Sequence, residues 1–188
     1  AEAAAELRGW LDDGTMRRDP VPSFYVHRQT FDMPTPDGPS PMSRLGLLAA
    51  VRLEPWSSRA VKPHEHTMPG PKQDRLALMR ATQADTEPIW VFHPDPGRNL
   101  RAALEAIAAG PADLDAIFHP VSPVNGDPPP ERHELWRVEY PGTVERLAAA
   151  VSAVQLYIAD GHHRYETALY HAEEVGGGPD DATRFKLM

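Results

Sequence analysis

Five consecutive residues, Asp160-Gly161-His162-His163-Arg164, carry the densest chemistry in this sequence. A glycine lets the backbone approach a ligand closely, and two imidazoles and a guanidinium follow it as donors. Arginine grips phosphate with two parallel hydrogen bonds, and an aspartate ahead of it can orient a histidine or take a hydroxyl proton. Gly161, His162, His163 and Arg164 therefore read as a phosphate-binding turn, with Asp160 as a catalytic base. Each residue also has a plainer use: Asp160 as a helix cap, Arg164 on the surface, either histidine in packing.

The surroundings of the turn favour the anion reading. Leu156-Tyr157-Ile158-Ala159 is a short apolar strand, and Tyr165, Ala168, Leu169 and Ala172 recur at helical spacing until Gly176-Gly177-Gly178. The five residues thus stand where a strand passes into a helix. A helix start leaves N–H groups without intrahelical partners, and its dipole favours negative charge.

A second cluster is His64-Glu65-His66-Thr67. In an extended chain His64 and His66 share one side and Glu65 takes the other. His64 and Thr67 are expected to contact phosphate, Glu65 to act as base or Mg²⁺ ligand, and Lys72 or Arg75 to neutralise ligand charge. Two histidines two apart also suit a metal, yet zinc wants a third protein ligand, with His162 or His133 as candidates. The favoured reading assigns no metal ligand, and a solvated loop before a helix is the plain alternative. His133, at a strand start, is a candidate substrate contact, whereas Trp136 and Trp90 read as core.

These residues need positioning elements. The pattern predicts a helix over 2–12 with Leu7, Trp10 and Leu11 on one face, and a strand at Phe24 to Arg28. Pro34, Pro36, Pro39 and Pro41 make 32–43 an exposed loop, and Gly46 to Leu53 a returning strand. A helix is expected from about Asp74 to Ala84 with Leu76 and Met79 inward, and a buried strand at Ile89-Trp90-Val91-Phe92. Leu100, Ala103, Leu104 and Ile107 mark the next helix, and residues 126–130 a Pro-rich break. Leu135 to Val138 reads as a strand, and Val144, Leu147, Val151 and Val154 as one helical face. The expected class is α/β or α+β, a mixed sheet with packed helices.

Composition sets the outer bounds. The chain has 188 residues, 41% of them hydrophobic, enough for a packed core in one domain or two lobes, here expected at 1–95 and 96–188. It lacks cysteine, which removes disulfides and thiol nucleophiles and suits a reducing cytoplasm. A formal charge of −8 offers no basic face for general nucleic-acid binding. No apolar run approaches the roughly 20 residues that span a bilayer. The sequence opens without Met and ends on the strand-like Phe185-Lys186-Leu187-Met188, so a piece of a longer protein is expected.

The segment from Leu156 to Ala168 resembles the signature of the DUF1015 family. The likeness extends, in order, over Tyr25-Val26-His27-Arg28-Gln29, Leu45-Gly46-Leu47, His64 to Thr67, Asp74-Arg75, Ala81 to Ala84, Pro88-Ile89 and His133-Glu134-Leu135-Trp136. The Gly-His-His-Arg turn is itself similar to the phosphate-binding turn of the ParB/sulfiredoxin-like superfamily. That group includes CTP-binding partition proteins, ATP-using sulfiredoxins and kinases of free serine. Sulfiredoxins carry a Cys in the turn and this chain has none, and the acidic balance disfavours a DNA-binding partition protein.

The resemblance implies a nucleotide- or phosphate-binding protein, with an ATP-dependent phosphotransferase acting on a small hydroxyl compound, such as a free amino acid, as its enzymatic form. ATP or another nucleotide with Mg²⁺ would be the cofactor and a small anion the partner. The alternatives are a non-catalytic nucleotide-binding regulator, a metal-dependent hydrolase using His64, His66 and His162, and a scaffold whose turn only caps a helix. Substrate identity and oligomeric state stay open.

Overall fold

The computed structural model describes residues 2–65, 70–121, 128–152, 155–176, 178 and 181–188. Along the chain run α1 (Glu2–Asp12), β1 (Phe24–Met33), β2 (Ser40–Leu48), β3 (Ala50–Arg52), β4 (Val61–Lys62), α2 (Gly70–Thr82) and β5 (Trp90–Phe92). Then follow α3 (Asn99–Ile107), β6 (Leu114–Phe118), β7 (Glu131–Val138), α4 (Pro141–Ser152), β8 (Leu156–Asp160), α5 (His162–Val175) and β9 (Phe185–Leu187). The class is mixed α+β. Two compact units divide these elements, one built from 1–20, 49–94 and 153–188, the other from 21–48 and 95–152. The chain passes between them more than once, so neither unit is a contiguous half.

The second unit is a four-stranded antiparallel sheet in the order β2-β1-β7-β6. Alternation sends Val26, Trp136 and Val138 to one face, where Leu104 of α3, Ala108 just after it and Leu147 of α4 complete its core. Trp136 is buried as expected and donates its indole N–H to the Gly110 carbonyl at 3.0 Å. The Pro-rich loop is shorter than its composition suggests. β1 continues to Met33 and β2 begins at Ser40, so Pro41 lies inside a strand. β2 is the sheet edge, where a missing N–H breaks no ladder.

The first unit carries α1, α2, α5 and two small sheets, β3-β9 and β4-β8-β5. The expected strand over 46–53 is divided: β2 ends at Leu48, and β3 pairs antiparallel with β9. Val61, Ile89, Ile158, Tyr165 and Met188 form this unit's core. Tyr165 is fully buried, its hydroxyl donating to the Glu54 carbonyl at 2.8 Å and accepting the Glu54 N–H at 2.9 Å. Its ring packs on Trp56 with centroids 4.7 Å apart. Those contacts fix α5, and with it the turn that precedes it.

Trp90 is not the core residue expected. Trp90 is 48% exposed, because β5 is a sheet edge whose alternation turns Ile89 and Val91 inward and Trp90 with Phe92 outward. On α1 the buried residue is Ala4, Leu7 is half-buried, and Trp10 and Leu11 stand exposed.

Candidate functional site

The site grows from the junction of β8 and α5 in the first unit. Asp160 closes β8, Gly161 occupies the left-handed region at φ +103°, and α5 begins at His162. Only glycine takes that backbone without strain. The N-cap position falls on Gly161, which has no side chain to cap the helix, so Asp160 is not the N-cap residue that the plain reading would make it. The helix dipole favours negative charge at this end of α5.

The side chains around the turn divide in two directions. His162 turns inward and is 1% exposed. Its Nε2 accepts the backbone N–H of His64 at 3.2 Å, which puts the imidazole proton on Nδ1. That Nδ1 lies 3.0 Å from Glu65 Oε1, a charge-to-dipole contact whose direction misses a straight hydrogen bond. Burial pushes the His162 pKa below its ordinary value, against the opposing pull of Glu65. His162 is thus a neutral buried support beneath an exposed carboxylate.

His64 stands edge-on to His162, with ring centroids 4.5 Å apart. Its Nδ1–H donates to the Ile158 carbonyl at 2.8 Å, which leaves the lone pair on Nε2. The sequence placed His64 and Glu65 in one cluster and His162 in another, and the fold brings them together across 98 residues. Ligand atoms of the three lie within 4.8 Å of one another.

Arg164 turns the other way. Its guanidinium pairs with Asp160, donates to the Pro88 carbonyl at 2.5 Å and lies 3.5 Å from Glu87. It also folds over Gly161, where an added Cβ would meet it at 3.0–3.2 Å. A two-pronged grip on phosphate requires Arg164 to leave one of these partners. His163 is half-buried, and its carbonyl accepts the Thr167 hydroxyl at 2.7 Å.

The remaining candidates fall in different places. Arg75 on α2 pairs with Glu87 at 3.1 Å. His66 and Thr67 lie outside the described residues, as does the side chain of Lys72. His133 belongs to the second unit. There its Nε2–H faces Glu131 at 3.3 Å and its Nδ1 accepts the Nε2–H of His27 at 3.0 Å. Gln29 closes that chain on Glu131 at 2.5 Å.

Sequence reasoning missed two groups. One is His27, read as part of an alternating strand and of the family-like segment Tyr25 to Gln29 but given no role until β1 meets β7. The other is Lys186, 3% exposed, held by Asp85 and by the Glu87 carbonyl at 2.6 Å. A lysine between Phe185 and Leu187 in a short strand was the available signal, because alternation puts it alone on one face.

No curated protein and no solved structure matches the chain. The sequence pattern of DUF1015, described as a protein of unknown function, matches residues 1–188, and the chain belongs to that family.

Proposed function

We propose that the first unit binds the phosphates of a nucleotide at the start of α5 and transfers a phosphoryl group to a small hydroxyl compound. The observation that carries this reading is the glycine-led start of α5 with the exposed carboxylate of Glu65 seated beside it on buried His162. The likeness of the Gly-His-His-Arg turn to phosphate-binding turns of the ParB/sulfiredoxin-like superfamily supports it by analogy.

The amides of the first turn hold the phosphate oxygens, and Mg²⁺ arriving with the nucleotide shields their charge. The acceptor oxygen attacks the γ-phosphorus, the bond to the β–γ bridging oxygen breaks, and the hydroxyl proton passes to a carboxylate. Glu65 is the better placed base. Asp160 is occupied by Arg164, whereas Glu65 meets only a neutral imidazole among the described residues.

Isothermal titration of the protein with ATP and Mg²⁺, followed by assay against a panel of amino acids and polyols, tests this directly. Saturable binding with ADP release supports the transferase. Binding without turnover across the panel reassigns the site to a nucleotide-responsive regulator, and absence of binding removes both.

One observation favours a second reading, the metal-dependent hydrolase: the convergence of His64, Glu65 and His162. Coordination through His162 Nδ1 would put a proton on Nε2, facing the His64 N–H that it now accepts. That conflict ranks it second. Stoichiometric zinc or manganese in elemental analysis would reverse the order.

A further inference from the structure

On the Arg164 side of the turn, within the same unit, lies a cavity of about 40 Å³. It is walled by α2, residues 85–87, α5 and β9. Three cations from three elements line it: Arg75, Arg164 and Lys186. Asp85 and Glu87 stand among them on the wall, and Arg164 is also paired with Asp160 outside it.

The two carboxylates have different duties. Asp85 is structural, because it takes the buried Lys186 ammonium and also the Leu187 N–H at 2.8 Å. Burial pushes the Lys186 pKa below its ordinary value, and Asp85 works against that shift. Glu87 is fastened less firmly. Its carboxylate is 55% exposed and bridges two guanidiniums, Arg75 at 3.1 Å and Arg164 at 3.5 Å. A carboxylate between two arginines on separate elements has the geometry that such a pair offers a small anion. An exposed pair of this kind adds little stability, so an outside anion can compete with it. Each water needs roughly 10–15 Å³ of such space, so the cavity admits a group of only a few heavy atoms.

We propose that this cavity is a subsite for a small anion, a carboxylate or a phosphoryl group, and that Glu87 is its internal occupant, displaced when the anion enters. The subsite does not depend on nucleotide binding at the start of α5. Arg164 borders both places, so the test leaves it unchanged.

The test is an amide ¹H–¹⁵N titration of the whole chain with sodium phosphate and, separately, sodium acetate, at constant ionic strength held with sodium chloride. Saturable shifts at the amides of Thr86, Thr167 and Lys186 are expected with at least one of the two. Glu87→Gln tightens that binding about three- to fivefold, the scale of one partly exposed charge pair, and Arg75→Gln weakens it by a similar factor. Glu87→Asp, which keeps the charge on a shorter arm, falls between wild type and Glu87→Gln. The tighter anion names the class: acetate a carboxylate ligand, phosphate a phosphoryl one. No saturable shift in Glu87→Gln, or an affinity in it no higher than in wild type, overturns the proposal and leaves the cluster as a staple between elements. Failure of ATP to bind at α5 would leave these outcomes untouched.

Discussion

The buried imidazole of His162 lies 3.0 Å from the exposed carboxylate of Glu65, although 96 intervening residues separate them. The His64 N–H fixes the imidazole tautomer, so the carboxylate rests on an N–H and not on a lone pair. If Glu65 takes the acceptor proton, Glu65→Gln keeps its shape and loses that capacity. We expect kcat to fall about 10²-fold or more, the usual share of a general base, with nucleotide affinity unchanged by isothermal titration. Equal loss of affinity and kcat would make Glu65 a binding residue.

Gly161→Ala tests the turn itself. An alanine at φ +103° is strained, and its Cβ would press on the Arg164 guanidinium. Urea unfolding is expected to show a loss of roughly 1–3 kcal/mol, the cost of one residue held in a sparsely populated region. A neutral result would mean that the turn relaxes to another conformation.

In the second unit, Arg28 holds Glu134 with two bonds of 2.6 and 2.7 Å and stacks on Trp136 at 4.9 Å. The Glu134 side chain is 8% exposed, and its arginine partner keeps the carboxyl below the usual range. Arg28→Ala strands a buried carboxylate. A loss of about 2–3 kcal/mol is expected in denaturant unfolding, under the full cost of a deeply buried pair because Arg28 is partly exposed and Arg132 lies nearby. Arg28→Ala combined with Glu134→Leu should recover much of it.

His27 sets a pH dependence. Burial, then the proximity of His133, lowers its pKa from the ordinary 6.5. A histidine kept neutral in the fold binds its proton more readily when unfolded, so stability is full above about 6.5 and declines as pH falls below it. Melting temperatures measured from pH 7.5 to 5 should drop for wild type and drop less for His27→Gln. Parallel profiles would remove His27 as the cause.

Local periodicity and turn chemistry were legible in the sequence; pairings between distant segments were not. The stripe of Tyr165, Ala168, Leu169 and Ala172 marked α5, and Gly176 its end. Trp136 was recognisable as core because its strand alternates. β6 escaped notice, since Leu114-Asp115-Ala116-Ile117-Phe118 has no clean alternation and forms an edge. The division of 46–53 between two sheets depends on β9, more than 130 residues further on. The site behaved likewise. Glu65 and His162 were each visible as reactive types, but their approach is made by parallel pairing of β4 with β8. The links among Arg75, Glu87, Arg164 and Lys186 draw on four separate segments and leave no local trace.

The most direct test of the account is an amide ¹H–¹⁵N titration with Mg·ATP. Phosphate binding at the start of α5 should give saturable shifts centred on the amides of Gly161 to Arg164 and on Glu65. Shifts confined to other parts of the chain, or none at millimolar Mg·ATP, would contradict it.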